Sequence, residues 1–599
     1  MDEFLKTKDK KEVEDDFSFR NYFVPLTTAK VITWIIIIGF IVYANMLFNP
    51  FVWDDMDYIV NNSLLHSINL AVFFGNNIFN NAGQYRPLTI AYFAFIYALF
   101  GYNQFFYHIL QLALHVVDTI LLFILFKTFF NKKVSFFLSL LFLIHPIQIE
   151  SVSYISSSDS PLFFLFGISG LLLGIGSESS VPKKIIQYLL LFASILVKET
   201  GILFLPLIIL YKIIFKKKHV ISEIIFSSIT AVLYFFIRYF IGDVSLASRP
   251  MIPIARLDLL DRLLTLPKIL FYYLKTWFFP LILGINQQWV VTKITFANFY
   301  FPLLIDVFML SLLLFFGYRL YRKKSKLFGY YLFFFAWLVL GLGIHSQIIA
   351  LDITVADKWA YFTMAGLLGL VGIVFEDIAP SVTLKEQGKT ILLSAAIFII
   401  VVLSVRTFIR DLDWQNPVYL WQQAITVNDN YLSEEELSIA LLEEGKLNEA
   451  VLPAKKSVAY FPNDNNLYNL GYLYEGLGKT EKAQQVYDRA IHAKNYIPWQ
   501  HKHYLQVYAR LALLLIYHKN FQAAKKVLIA GIKDYPQNTT LLLYLATSEY
   551  ELGEQKQASA AAKKALSLAP GDATIENLDQ RILNHLAVVP VYTNPFTIQ

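Results

Sequence analysis

The chain has 599 residues, is 56% hydrophobic and 16% aromatic, and is only 16% charged, with a net charge of +6. A soluble domain is about 25% charged, so the composition points to a multidomain membrane protein. The chain has no cysteine, which excludes disulfides, thiolate metal sites, iron–sulfur clusters and a cysteine nucleophile; the basic residues bunch between apolar runs, as cytoplasmic loops require, which disfavours a nucleic-acid partner.

A spanning helix needs roughly 20 mainly apolar residues. After a mixed-charge tail, 1–30, the first apolar run is "VITWIIIIGFIVYANMLF", 31–48. It lacks a small-residue cleavage site and reads as a retained anchor. Further spans are predicted near 104–130, 134–149, 161–176, 184–197, 201–215, 220–241, 300–318, 327–345, 359–375 and 390–408, eleven in all. The shorter apolar runs 88–100 and 267–283 read as helices lying on the outer membrane surface. Basic clusters at Lys127/Lys132/Lys133, Lys183/Lys184, Lys212/Lys216/Lys217/Lys218 and Arg319/Arg322/Lys323/Lys324/Lys326 stay cytoplasmic by the positive-inside rule. That puts the N-terminus inside, the C-terminus outside, and the transmembrane domain at 31–410.

Beyond residue 410 the pattern becomes soluble and repeats. Small residues recur at Gly445/Ala450, Gly471/Gly478/Ala483/Ala490, Ala524/Gly531 and Gly553/Ala558/Ala565, with Lys519 where the others have Gly, and Pro462, Pro536 and Pro570 keep pace. The spacing resembles tetratricopeptide repeats, whose period is about 34 residues. Four repeats in 411–599 would form an extracytoplasmic α-solenoid with a concave surface suited to an extended peptide. An inserted loop is expected near 493–502.

Two adjacent acids, Asp54 and Asp55 in "WDDMDYIVNN", follow the first span. A second constellation, "HPIQIESVSYISSSDSPL", holds His145, Glu150 and Asp159 where one span closes and the next opens. Arg86 in "YRPLT", Lys198 in "KETG" and Lys358 in "ADKWAYF" lie at other outer helix ends, and Arg238 lies inside a span. Ionisable groups at membrane depth are costly and are offset by pairing or by function. Acids in the first loop with cations around them suit sugar transfer from a polyprenyl phosphate. Arg86, Lys198, Arg238 and Lys358 would grip the phosphate, and one carboxylate of the pair would take the acceptor proton. No His or acid spacing demands a metal, so no metal ligand is assigned.

The ordered set "WDD…YIVNN", "YRPLT…YALFGYNQFFYHILQLALH", "HPIQIESVSYIS", "VKETG…PL", "ADKWAYF…GLLG" and the C-terminal repeats resembles the transmembrane and tetratricopeptide repeat O-mannosyltransferase-like proteins of the glycosyltransferase C superfamily, and their bacterial relatives most. The resemblance implies an all-α fold: a polytopic helix bundle of about eleven spans followed by the repeat solenoid. It implies a polyprenyl-phosphate-linked sugar donor, a protein acceptor, an extracytoplasmic site and residence in a bacterial plasma membrane. By the same resemblance Asp54 is the first choice as base and Asp55 the alternate, and His145 and Glu150 match the second-loop motif. Relatives often carry Arg before the acid matched by Asp159, where this chain has Ser158. Two other readings suit the same sequence: a membrane scaffold that recruits partners through its repeats, and a polysaccharide ligase or polymerase. The latter would depend on Arg and His in a late outer loop, and the loop 242–299 has no His.

Overall fold

The computed structural model describes residues 26–75, 84–176, 180–244, 252–378, 386–493 and 504–586. The N-terminal tail to residue 25 and most of the expected inserted loop lie outside these residues. The fold is all-α, and no strand occurs among the described residues beyond one bridge pairing Gln287 with Val355. The first part is a bundle of α1 (Thr28–Val42), α2 (Pro87–Phe100), α3 (Gln104–Phe126), α4 (Lys132–Ile144), α5 (Asp159–Ile175), α6 (Val181–Val197), α7 (Phe204–Ile214), α8 (Val220–Phe240), α9 (Leu259–Phe278), α10 (Phe301–Arg322), α11 (Leu327–Ile344), α12 (Ala360–Ile378) and α13 (Glu386–Leu412).

Among the described residues, seven helices are long and apolar enough to cross a membrane, or eight if α4 and Pro146–Val152, bent by 50°, are one span. The other four expected spans are also helices, but α1, α4, α6 and α7 are only 15, 13, 17 and 11 residues long. Three of them are short for one reason: α4 stops at His145, α6 stops at Lys198, and α7 starts after the turn Glu199–Leu203. The runs 88–100 and 267–283 lie in α2 and α9, and α9 ends at Phe278.

Helix α8 shows which solvent the bundle is built for. It buries Glu223, Ser227, Thr230, Tyr234 and Arg238 while exposing Ile221, Ile225, Ile229, Val232, Phe236 and Phe240. Polar inside and apolar outside is the reverse of a water-facing helix and fits one whose outer face meets lipid. Small residues bring the helices close, as in other membrane bundles. A Cβ on Gly366 of α12 would lie 2.7 Å from the Leu338 backbone nitrogen of α11.

The basic clusters and the polar loops occupy opposite ends of the same helices. Lys127, Lys132, Lys183, Lys184, Lys212, Arg319 and Lys326 sit at one end of α3, α4, α6, α7, α10 and α11, whereas His145, Asp159, Lys198, Glu199 and Arg238 sit at the other ends of α4 to α8. At the basic end Asp377 of α12 pairs with Arg319 at 3.0 Å and Lys323 at 3.6 Å.

After α14 (Pro417–Val427), four helical hairpins follow: α15 (Tyr431–Glu443) with α16 (Leu447–Tyr460), α17 (Asp464–Gly476) with α18 (Thr480–Ile491), α19 (Tyr504–Tyr517) with α20 (Phe521–Asp534), and α21 (Thr539–Glu551) with α22 (Gln555–Leu568). The last helix, α23 (Ala573–Leu583), packs on α22. Gly445, Gly478 and Gly553 turn these hairpins with φ of 75°, 71° and 80°, and Lys519 holds the equivalent left-handed conformation at 59°. The solenoid starts against the polar end of the bundle. The Trp421 indole of α14 meets that of Trp53 edge-on at 5.4 Å, and Trp414 stacks on Tyr154 at 5.3 Å.

Candidate active site

The first loop turns sharply after α1. Trp53 adopts the left-handed conformation, φ 53°, which is costly for a residue with a side chain and is held only where its surroundings fix it. Here the indole stacks on Tyr154 at 5.4 Å and meets Trp421. The turn sends the two following carboxylates to different places. Asp55 is buried, and its carboxylate accepts hydrogen bonds from the Val52 N–H at 3.0 Å, the Ser156 N–H at 2.7 Å and the Ser156 hydroxyl at 2.5 Å. Asp54 is only half-buried and lies within electrostatic reach of Lys358, Asp57 and Asp352, with the Tyr154 hydroxyl close by. Burial pushes the Asp54 carboxyl up to about 6, against the pull of Lys358 and Tyr154. Burial likewise raises Asp55 to about 7, against its Ser156 and Val52 hydrogen bonds.

Lys358 ties this loop to the second one. Its backbone N–H donates to Glu150 at 3.0 Å, and its ammonium lies 3.7 Å from the same carboxylate. The ammonium also sits over the rings of Tyr154 at 5.5 Å and Trp53 at 5.9 Å, a cation–π arrangement that holds a charge without using its hydrogen bonds.

The remaining charges form one chain. Arg86 donates from Nε to Glu199 at 2.9 Å and from Nη1 to Asp159 at 2.7 Å. Lys198 donates to Asp159 at 3.1 Å and to the Ser160 hydroxyl at 2.8 Å. Arg238 reaches Glu199 at 3.5 Å and Tyr234 at 3.1 Å, and the Tyr85 N–H donates to Glu199 at 2.7 Å. Lys198 feels burial first and then Arg86 and Lys358, which together outweigh Asp159 and lower it to about 8. The turn holding Lys198 and Glu199 is tight: a Cβ on Gly201 would fall 2.5 Å from the Ser194 carbonyl carbon.

The two halves meet where Phe163, Lys198, Thr200, His345, Lys358 and Phe362 close around one another. Of the residues singled out from sequence, Arg86, Asp159, Lys198 and Arg238 thus share one network, and Asp54, Glu150 and Lys358 share its neighbour. His145 stands apart. Its Nδ1 accepts from the Ile147 N–H at 3.2 Å and caps the start of the second loop, and its Nε2–H donates to the Trp277 carbonyl of α9 at 3.0 Å. Ser158 lies among the Gln111 amide and the Ile155 carbonyl, and the cations beside Asp159 come from Arg86 and Lys198 instead. Among the described residues no group of three His, Asp or Glu side chains is placed to hold a metal ion.

Sequence reasoning missed Glu199 as the hub of the chain, together with Trp53, Tyr154, Asp352 and Trp421. Asp352 accepts from Gln84 at 3.1 Å and faces Asp54 and Arg86. Its position just before "TVADKW" was the one available signal.

The Tetratricopeptide repeat family matches residues 465–495. The human protein O-mannosyl-transferase TMTC3 is 24% identical over 81% of this chain and 58% of its own length. Human protein O-mannosyl-transferase TMTC1 is 31% identical over 27% of this chain and 21% of its own length. The chain thus spans little more than half the length of TMTC3 and less of TMTC1. Among solved structures, ArnT from Cupriavidus metallidurans, bound to undecaprenyl phosphate, aligns over 77% of this chain and 79% of its own, at 12% identity and a TM-score of 0.37. YrrB, a TPR protein, aligns over 27% of this chain and 81% of its own, at 12% identity and a TM-score of 0.24. This chain is an integral membrane protein homologous to the TMTC protein O-mannosyl-transferases, a helical bundle continued by a tetratricopeptide-repeat solenoid.

Proposed function

We propose that the chain is a membrane glycosyltransferase that moves a sugar from a polyprenyl-phosphate carrier to a hydroxyl of a protein acceptor on the extracytoplasmic face. The observation that carries this reading is the division of labour in the acidic pair. Asp55 spends its carboxylate on Ser156 and Val52, and Asp54 is left half-buried within electrostatic reach of Lys358.

Asp54 takes the proton of the acceptor hydroxyl as its oxygen attacks the anomeric carbon. The bond from that carbon to the phosphate oxygen breaks, and the polyprenyl phosphate leaves with the electron pair. Charge growing on the phosphate meets Arg86, Lys198 and Lys358, cations already fixed in place and so needing little reorganisation. Arg238, through Glu199, holds Arg86 in position. The ends of the helices support this side of the membrane: with the basic clusters kept in the cytoplasm, the polar end would face out. The solenoid packs on that same end through Trp414 and Trp421, which suits the capture of an acceptor segment near Asp54. Homology to the named O-mannosyl-transferases supports mannose as the first sugar to try.

The test is transfer of label from radioactive polyprenyl-phosphate mannose to protein in a membrane extract by the purified full-length chain. Label in protein with the wild type and none with Asp54→Asn supports the reading. Equal transfer by both overturns the assignment of the base, and no transfer from any polyprenyl-phosphate sugar overturns the activity.

A further inference from the structure

The end of the bundle far from Asp54 holds a second cluster of buried charge. Lys184 of α6 and Lys212 of α7 are 8% and 7% exposed, and both lean on one carboxylate, Glu223 of α8, at 3.1 and 3.9 Å. That carboxylate is already saturated. Gln187 donates to it at 3.1 Å and the Tyr188 hydroxyl at 2.7 Å. Lys183 and Lys217 stand close enough to Lys212 to repel it. Two buried ammonium groups therefore share one carboxylate, with two further lysines nearby. An excess of charge at low dielectric is expensive unless a counter-charge arrives.

A narrow surface cleft lies beside this cluster, lined by Gly174, Gly176, Lys183, Lys184, Gln187 and Lys212, among others. The glycines let its walls come close: a Cβ on Gly176 would lie 2.7 Å from the Lys183 ammonium, and one on Gly174 would lie 2.6 Å from Ile208 and 2.9 Å from the Gln187 amide nitrogen. The surrounding surface is apolar and turned outward: Ile185, Ile186 and Leu189 of α6, Ile213 of α7, and Ile221 and Ile225 of α8 are all exposed. A ligand here would place negative charge among lysines and hydrocarbon against isoleucines.

We propose that this cleft binds the phosphate of an anionic membrane phospholipid, on the face of the bundle opposite the candidate active site. Basic pockets between membrane helices are suited to such headgroups. The isoleucine faces favour a phosphate that carries acyl chains over a free one. The site also has leverage on α8. Glu223 and Arg238 are 15 residues apart on that helix, about 22 Å along its axis, so a lipid that neutralises the lysines around Glu223 steadies the helix that carries Arg238 near its other end.

The experiment is native mass spectrometry of the full-length protein from nanodiscs that mix phosphatidylglycerol with phosphatidylcholine, alongside thermal unfolding in detergent with added phosphatidylglycerol or inorganic phosphate. The wild type is expected to retain phosphatidylglycerol selectively and to gain stability from it. The double variant Lys183→Ala with Lys212→Met, which leaves the Lys184–Glu223 pair intact, is expected to bind it about thirtyfold more weakly, at about 1 kcal/mol per lysine. Equal retention of the two lipids, or unchanged selectivity in the double variant, overturns the site. Equal stabilisation by inorganic phosphate overturns the lipid as the occupant. Should the double variant not fold, Lys183→Glu at a half-exposed position makes the same test, and unchanged selectivity there overturns the proposal.

Discussion

Asp55 and Ser156, 101 residues apart in sequence, are joined by two hydrogen bonds that fasten the first loop of the bundle to the second. This clasp turns Asp55 inward and leaves its neighbour Asp54 half-buried near Lys358, so the two acids answer differently to substitution.

Asp54→Asn is expected to cut kcat by about 10²–10⁴-fold, the range for loss of a general base, with little change in thermal stability. Asp55→Ala is expected to cost about 1–3 kcal/mol of stability, as buried donors on Val52 and Ser156 lose their acceptor. Transfer assays run beside thermal unfolding separate the two effects; a large kcat loss with intact stability at Asp55 would reverse the assignment.

Activity is expected to trace a bell against pH. Asp54 must be ionised to accept a proton, so the rate rises as pH passes through about 6. Lys198 must be protonated to hold phosphate, so the rate falls as pH passes through about 8. Lys198→Arg keeps its charge to higher pH and is expected to move the falling limb upward while leaving the rising limb in place. A profile of kcat/KM for wild type and variant checks both limbs.

Arg86 bridges two carboxylates from different nitrogens of one planar group, a geometry that lysine cannot copy. Arg86→Lys is expected to raise the donor KM about tenfold, with kcat less affected, and to lower thermal stability. Unaltered KM would place the phosphate elsewhere.

Lys519 holds a left-handed turn that glycine holds in the other three hairpins. Such a conformation costs a residue with a Cβ roughly 1 kcal/mol. Lys519→Gly is expected to recover most of that, and amide exchange across α19 and α20 slows about fivefold as a result. Faster exchange would show that the lysine side chain contributes more than its backbone costs.

The legible parts of this chain were those written in local pattern. Apolar runs marked where helices lie, and the recurrence of Gly and Ala marked the four hairpins, because close helix packing needs small residues at fixed spacing. Helix length was less legible. Runs at 134–149 and 201–215 are apolar throughout, yet α4 and α7 are cut short where Pro146 and the Glu199–Leu203 turn break the backbone. Arg86, Asp159, Lys198 and Arg238 stood out as charges beside apolar segments, but their pairing spans 39 to 113 residues of sequence, which no periodicity encodes. Trp53 stood out only as the residue before the acidic pair and Tyr154 only inside the second-loop motif, since in a chain that is 16% aromatic a ring's partners are not written in local pattern. His145 drew attention as an ionisable group, and its two ring nitrogens proved to be occupied by backbone.

The indole of Trp53 is wedged between Tyr154 of the bundle and Trp421 of the solenoid, and the next residue along the chain is Asp54. Any tilt of the solenoid therefore arrives at that carboxylate through a single peptide unit. The repeats and the acid share one lever, too short to absorb a displacement by bending.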